Sequence, residues 1–402
     1  MKARAAGIIT ASLIAIQACD RAETGGEGAE LEVRDSLGIE VVTVTWEAAP
    51  FLDRVDPIPE WVVGADKQEG SPVLVHRVRD ALLLSDGSLV IAQSSNQEVI
   101  RIDLASQEVL RWGGPGDGPG EFRNITRIFE PGRGRIGLVD GSRRRYVEFD
   151  LDGQLIREAN LGQYFDGSLV DVEVGPDNAL YVNVSVRPPE GRGVVRPEGL
   201  VVKVRDVEAP QVDTLVSLLG PESYFSPEYM GLLWFGATGV MAAAEAGVWT
   251  ADTGQQEVRY WEGRSSPTRV VRWQTVDTRV LTEERKQELW ELSLAGFPPE
   301  ERSFFEQQRN VMPFRERVPA FGSLLVGTDG SLWIGSYVPY TVDMAESPRP
   351  GQEWLVLDFE QRTAHRVTTP RGFRLVRVSE EFVLGVHRDE FGVETIRRHR
   401  LQ

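Results

Sequence analysis

The chain has 402 residues, with 61 acidic against 44 basic side chains and a formal net charge of −17 at pH 7. That surplus excludes a polyanion such as nucleic acid as the main partner, since phosphate recognition needs a dense basic face. Cys19 is the single cysteine, which leaves no disulfide and no cysteine-built metal centre, and the length suits either two ordinary domains or one closed repeat fold.

The chain opens on Lys2 and Arg4, runs apolar from Ala5 to Ile16, and continues Gln17-Ala18-Cys19. A basic start, a short apolar run and a small residue before the cleavage point make an export signal, and the run is too short to span a bilayer. Ile16-Gln17-Ala18-Cys19 resembles the lipobox of bacterial lipoproteins. The resemblance implies removal of residues 1–18, lipidation of Cys19 and anchorage to a cell-envelope membrane, on the periplasmic side of the inner or outer membrane. Two or three acyl chains hold a soluble domain on a bilayer durably. Asp20 resembles the inner-membrane retention signal of proteobacteria. Residues 19–30 are small, polar and acidic and read as a lipidated flexible tether.

From Leu31 to Gln402 short apolar alternations are separated by Gly, Asp and Pro turns. A unit of turn, strand, strand and strand begins at Leu84-Ser85-Asp86-Gly87 and recurs from Gly134, Pro176, Gly239, Thr328 and Arg374. Six copies of a small β-meander predict an all-β, six-bladed β-propeller over residues 31–402, since radial repetition hides sheet edges. Glu32-Val33 and Ile39–Val44 are strand-like without a partner in the first copy, and are expected to complete the last one beside Thr395 to His399. Val73 to Val78 reads as an innermost strand. Residues 281–312 change to a helical period: Thr282 suits an N-cap before Glu283 and Glu284, and Pro299 suits the first turn of a second helix through Phe304, Phe305 and Gln308. This helical hairpin is expected to interrupt the fifth copy, either as a lid over the axial opening or packed on a blade flank.

Arg111-Trp112-Gly113-Gly114-Pro115-Gly116-Asp117-Gly118-Pro119-Gly120-Glu121-Phe122 resembles the connector between blades of NHL-type propellers, with Asp140 in the place of the later turn residue. With Arg34-Asp35-Ser36 and Val318-Pro319-Ala320-Phe321, the chain resembles the six-bladed β-propeller lipoproteins of bacterial envelopes. The glycine-rich segment is not a phosphate loop, because Pro115 and Pro119 have no amide proton to donate and the spacing is wrong. Six-bladed rings also include calcium-dependent lactonases and peptide-amidating lyases, but neither ligand set falls on matching positions here. The chain has no P-loop, G-x-S-x-G or His-Glu-x-x-His motif.

His76, Glu121 and Asp140 are the candidate channel or ligand-binding residues, with no catalytic or metal residue assigned. Asp80, Asp86, Asp171, Asp177 and Asp329 read mostly as turn formers, some of them with access to a channel. Arg143-Arg144-Arg145 reads as a solvated strand edge. The expected function is that of a membrane-anchored exported module that binds a protein, peptide or glycan without catalysis or cofactor. An envelope hydrolase or lyase with a metal such as calcium in the channel is the alternative.

Overall fold

β-branched runs that are apolar at every position need cover on both faces, and the strand Leu89–Gln93 is buried throughout. Its alternate side chains divide between two neighbours: Leu89 and Ile91 pack with Val386 and Ile396, whereas Val90 and Ala92 pack with Ile125, Ile136 and Phe149. A sheet so covered is a layer between two others. The computed structural model describes residues 28–402 except 53, 65–72, 188–190, 208–210, 228–229, 264–265, 276–278, 296–299, 301, 304–305, 308–310 and 340–348.

Among the described residues, six sheets each contain a four-stranded antiparallel meander, in chain order in five of them and completed in the sixth by a strand from near the start of the chain. The first is Val78–Leu83, Leu89–Gln93, Glu98–Ile102 and Val109–Gly113. The second is Ile125–Phe129, Arg135–Asp140, Arg145–Asp150 and Leu155–Asn160. The third is Ser168–Val174, Leu180–Arg187, Glu198–Val204 and Val212–Leu219. The fourth is Gly239–Ala243, Val248–Asp252, Glu257–Trp261 and Arg269–Gln274. The fifth is Ser323–Val326, Leu332–Gly335, Glu353–Asp358 and Thr363–Thr368. The sixth is Phe373–Val378, Phe382–Arg388 and Glu394–Arg400, with Trp61–Val63 as its outer strand.

The first strand of each sheet lies beside the first strand of the next, and that of the sixth returns to that of the first. The arrangement is β-propeller-like, with the first strands innermost. Hairpin turns carry the residues their geometry demands: Asp86 accepts the Ser88 amide at 2.8 Å, Asp329 accepts the Ser331 amide at 3.0 Å, and Gly87 and Gly330 take the left-handed φ of 87° and 81°.

The chain ends meet in the sixth sheet, but through a different segment from the one expected. Trp61–Val63 pairs antiparallel with Ile396, Arg397 and Arg398. Ile39–Thr45 instead runs parallel to Arg269–Gln274 in the fourth sheet, with Glu32–Ser36 outside it. Its alternation is satisfied there, since Val42 and Val44 enter a core with Trp249 and Trp273. Ala29 and Glu30, read as the end of the tether, are already paired with Ala364 and Thr363 of the fifth sheet. Residues 1–27, with the leader and Cys19, lie outside the described residues.

Two further expectations change. The innermost strand of the first sheet starts at Val78, because Arg77 takes a left-handed φ of 49° and ends the extended run before it. The helix Glu283–Ala295 lies between the fourth and fifth sheets and does not interrupt the fifth copy. Thr282 caps it, its Oγ1 accepting the Arg285 amide at 3.2 Å. Leu289 packs with Phe235 and Leu281, and the Trp290 ring meets that of Trp234 in a tilted contact with centroids 4.8 Å apart, which fixes the helix against the segment leading into the fourth sheet. Phe304, Phe305 and Gln308 lie outside the described residues.

Val63 is buried between the sixth and first sheets. Val63→Ala is therefore expected to lower unfolding stability by about 2 kcal/mol, read as a fall in the urea midpoint at unchanged slope.

Candidate functional site

Up-and-down pairing places the turns after the first and third strands at one end of the ring. At that end a cavity of about 640 Å³ opens among the ends of the first strands. Leu82, Phe129, Ala243, Ala244 and Val326 give it apolar surface, and its charged lining residues are Arg127, Arg377, Glu130, Glu245 and Asp329.

Four of the six first strands carry a β-bulge, and each bulge has the same sequel. The register slips at Arg79, Thr126, Val170 and Val376, and the residues that follow are Asp80, Arg127, Asp171 and Arg377. An extra residue kinks the strand and re-aims the next side chain. The first strands of the fourth and fifth sheets, Gly239–Ala243 and Ser323–Val326, are regular and uncharged. The bulged strands thus bring charge into the channel, while the fourth and fifth sheets contribute carboxylates at the mouth only from the turns that follow, at Glu245 and Asp329.

The ionic groups form one network. Arg377 donates from Nη2 to Asp80 Oδ2 at 2.8 Å and to the Ile128 carbonyl at 3.1 Å. Asp80 also accepts the amides of Ile128 at 3.0 Å and Ala81 at 3.0 Å. Arg127 donates from Nη2 to Glu173 at 2.5 Å, and its Nε lies 3.9 Å from Asp80. Arg374 reaches the Val78 carbonyl at 2.8 Å.

Burial pushes the carboxyls up, and their partners decide how far. For Asp80 the guanidiniums of Arg377 and Arg127, with the Ile128 amide, outweigh burial and hold the carboxyl below its usual range. For Glu173 burial prevails over Arg127, aided by the neighbouring Asp171, and the pKa rises to about 7. Asp171 is also raised, by burial. One carboxylate in the channel is firmly ionised, and another changes charge near neutrality.

None of the three residues singled out from the sequence belongs to this network. His76 is exposed at the opposite rim, outside the innermost strand, its backbone amide held by Gln93 at 2.6 Å. Glu121 is exposed and closes its own connector by accepting the Gly118 amide at 2.8 Å. Asp140 is fully buried and accepts the amides of Arg123 at 2.8 Å and Arg143 at 3.2 Å. The last two residues fasten the link between the first and second sheets, where Phe122 is buried against Phe149.

Arg145 is buried, not a solvated edge. It donates to Glu158 at 3.2 Å and to the carbonyls of Gly118 and Glu121. Arg143 pairs with Asp117. Among the aspartates read as turn formers, Asp86, Asp177 and Asp329 are such, whereas Asp80 and Asp171 face the channel.

The missed residues have a signal in the chain. Val78-Arg79-Asp80-Ala81, Ile125-Thr126-Arg127-Ile128, Leu169-Val170-Asp171-Val172 and Leu375-Val376-Arg377-Val378 all carry a charge at the third position between apolar residues at the first and fourth, with a second charge, Arg79, in the first stretch. Among the described residues, no group of three or more His, Cys, Asp and Glu is placed to hold a metal ion, and no helix is long and apolar enough to cross a membrane.

Solved structures similar to this chain include a member of the duf4221 family from Bacteroides vulgatus, with 11% identity and a TM-score of 0.49 over 87% of this chain and 98% of that one. Virginiamycin B lyase from Staphylococcus aureus gives 11% and 0.37 over 81% and 80%. A calcium-binding protein, regucalcin, from Agrobacterium tumefaciens gives 11% and 0.38 over 88% and 95%. No protein-family model and no curated protein matches the chain. The fold is accordingly read from the pairing of its own strands.

A carboxyl whose pKa is raised in the folded state favours folding below its unfolded value, and that contribution is lost as pH rises through the folded value. For Glu173 the window runs from the ordinary glutamate value of 4.5 to about 7. Glu173→Gln is expected to flatten the stability profile across this window, by up to about 3 kcal/mol between its ends. Urea unfolding of both proteins at several pH values checks this.

Proposed function

We propose that this chain is an exported, lipid-anchored, six-bladed β-propeller that binds a partner at the mouth of its axial cavity and performs no chemistry there. The partner class is a protein, peptide or glycan. The observation that carries the reading is the cavity of about 640 Å³ at the ends of the first strands, lined by apolar side chains together with Arg127, Arg377, Glu130, Glu245 and Asp329. Concave, largely apolar sites with a few fixed polar groups are where ligands bind. The blade count is supported by the six meanders and the cycle of first-strand neighbours.

Anchorage rests on the lipobox-like Ile16-Gln17-Ala18-Cys19. The strand Ala29–Glu30 lies beside the start of the fourth strand of the fifth sheet, at the same end of the ring as the cavity mouth.

Two measurements test the reading. Cys19→Ser is expected to move the protein from the membrane fraction to the soluble fraction, and unchanged fractionation would contradict the anchor. For binding, the full chain is applied to arrays of envelope-derived peptides and glycans beside Thr328→Trp, which places a large side chain at an exposed position of the cavity lining. Binding that the substitution abolishes supports the cavity as the site. Binding that survives it, or stoichiometric calcium or zinc in the purified protein, overturns the reading.

A further inference from the structure

At the end of the ring opposite the mouth, the starts of the first strands of the fifth and sixth sheets border a second cavity, of about 400 Å³. We propose that this cavity is a separate binding site that takes a phosphate group, as the free ion or as the monoester of a small molecule, with Arg374 as its anchor.

Arg374 lines the cavity and is half-buried. Its hydrogen bond goes from Nη2 to the Val78 carbonyl at 2.8 Å, and it forms no ion pair with the described residues. Arg377, further along the same strand, has Asp80 as its partner. The carboxylates that act on Arg374 are Asp80 and Glu394, and both are committed elsewhere: Asp80 to Arg377 and the Ile128 amide, Glu394 to the Val78 amide at 2.7 Å. Burial, with repulsion from Arg349 and Arg79, outweighs these two carboxylates and holds Arg374 below the usual arginine range. A guanidinium so placed is stabilised by an anion brought to it.

The rest of the polar lining offers donors. Gln352 is buried and spends its amide within the wall: Oε1 accepts from Arg349 Nη2 at 3.1 Å, and Nε2 donates to Ser323 Oγ at 3.3 Å and to the Ser336 carbonyl at 2.7 Å. Having accepted there, the Ser323 hydroxyl keeps its own proton to donate. Gly335 lets this cluster assemble, since a Cβ on it would stand 2.5 Å from Ser323 Oγ and 2.7 Å from Gln352 Nε2. The described lining includes Arg349 and Arg374 and no Asp or Glu. Glu353, beside it in the chain, is turned to Trp46 and Arg366.

Two guanidiniums select between anions. A carboxylate is satisfied by one guanidinium fork, which would leave the second charge unanswered. A phosphate monoester carries close to two negative charges near neutrality and has three acceptor oxygens, enough for both arginines and a hydroxyl. One small dianion needs only this local surplus of positive charge, unlike the polyanion that the net charge excludes. A volume of about 400 Å³ lies in the range of small-molecule sites, and Leu325, Val338 and Leu375 give apolar surface for an organic remainder.

The test titrates the full chain with inorganic phosphate and phenyl phosphate, beside benzoate and sodium chloride at matched ionic strength, by thermal shift and calorimetry at neutral pH. Both phosphates are expected to raise Tm and to bind saturably, chloride to have no effect, and benzoate to bind about tenfold more weakly than phenyl phosphate or worse. Tighter binding of phenyl phosphate than of phosphate assigns an ester, and equal binding assigns the free ion. Arg374→Met should weaken both phosphates by about tenfold or more. If that variant does not fold, Val338→Trp, which fills the cavity from a half-buried position of its lining, should abolish the response. Phosphate shifts no larger than those of chloride, benzoate binding as tight as that of phenyl phosphate, or a phosphate response retained in either folded variant would overturn the proposal.

Discussion

The Asp80 carboxylate accepts the Ile128 amide from the second sheet and the Arg377 guanidinium from the sixth while standing on the first. Three sheets are thereby fixed at one point on the channel wall. A buried charge left alone costs several kcal/mol, so such a group persists only with its partners in place. Arg127 continues the chain of pairs to Glu173 on the third sheet, and the network spans four consecutive first strands.

The β-bulges make this possible. A regular strand whose neighbours are covered on both faces would turn alternate side chains into packed apolar layers, as Val90 and Ile91 do. One extra residue in each of four first strands redirects the next side chain into the channel. The fourth and fifth sheets lack the bulge, and their first strands carry no charge. The buried ionic network thus follows from where the bulges fall, with the ring otherwise built from one repeated meander.

The repeat was plainly legible in the chain, because short apolar strands such as Leu89-Val90-Ile91-Ala92 recur after polar turns, with Asp-Gly at Asp86-Gly87 and Asp329-Gly330. Closure was legible in kind but not in place. Ile39–Thr45 has the stronger strand pattern, yet it has a parallel place beside Arg269–Gln274, and only three residues, Trp61–Val63, pair with the last copy. Alternation says which face of a strand is buried and says nothing about which edge it joins. The site was hidden for a related reason. His76 stands out in the chain because Val73 to Val78 reads as an innermost strand, and Asp140 because it holds the turn place of the repeat pattern, whereas the channel is populated by residues that a register slip rotates inward. The charge recurring third in four repeat-opening stretches was the available clue.

The Asp80–Arg377 pair is the most direct point at which to test the whole account, since it exists only if the first and sixth sheets are neighbours around a common channel. A double-mutant cycle on Asp80→Asn and Arg377→Gln measures their coupling in unfolding free energy. The account predicts a coupling of at least about 1.5 kcal/mol, as expected for a buried, hydrogen-bonded ion pair. A coupling within about 0.5 kcal/mol of zero would mean that the two side chains do not meet, and the ring and its site would fall together.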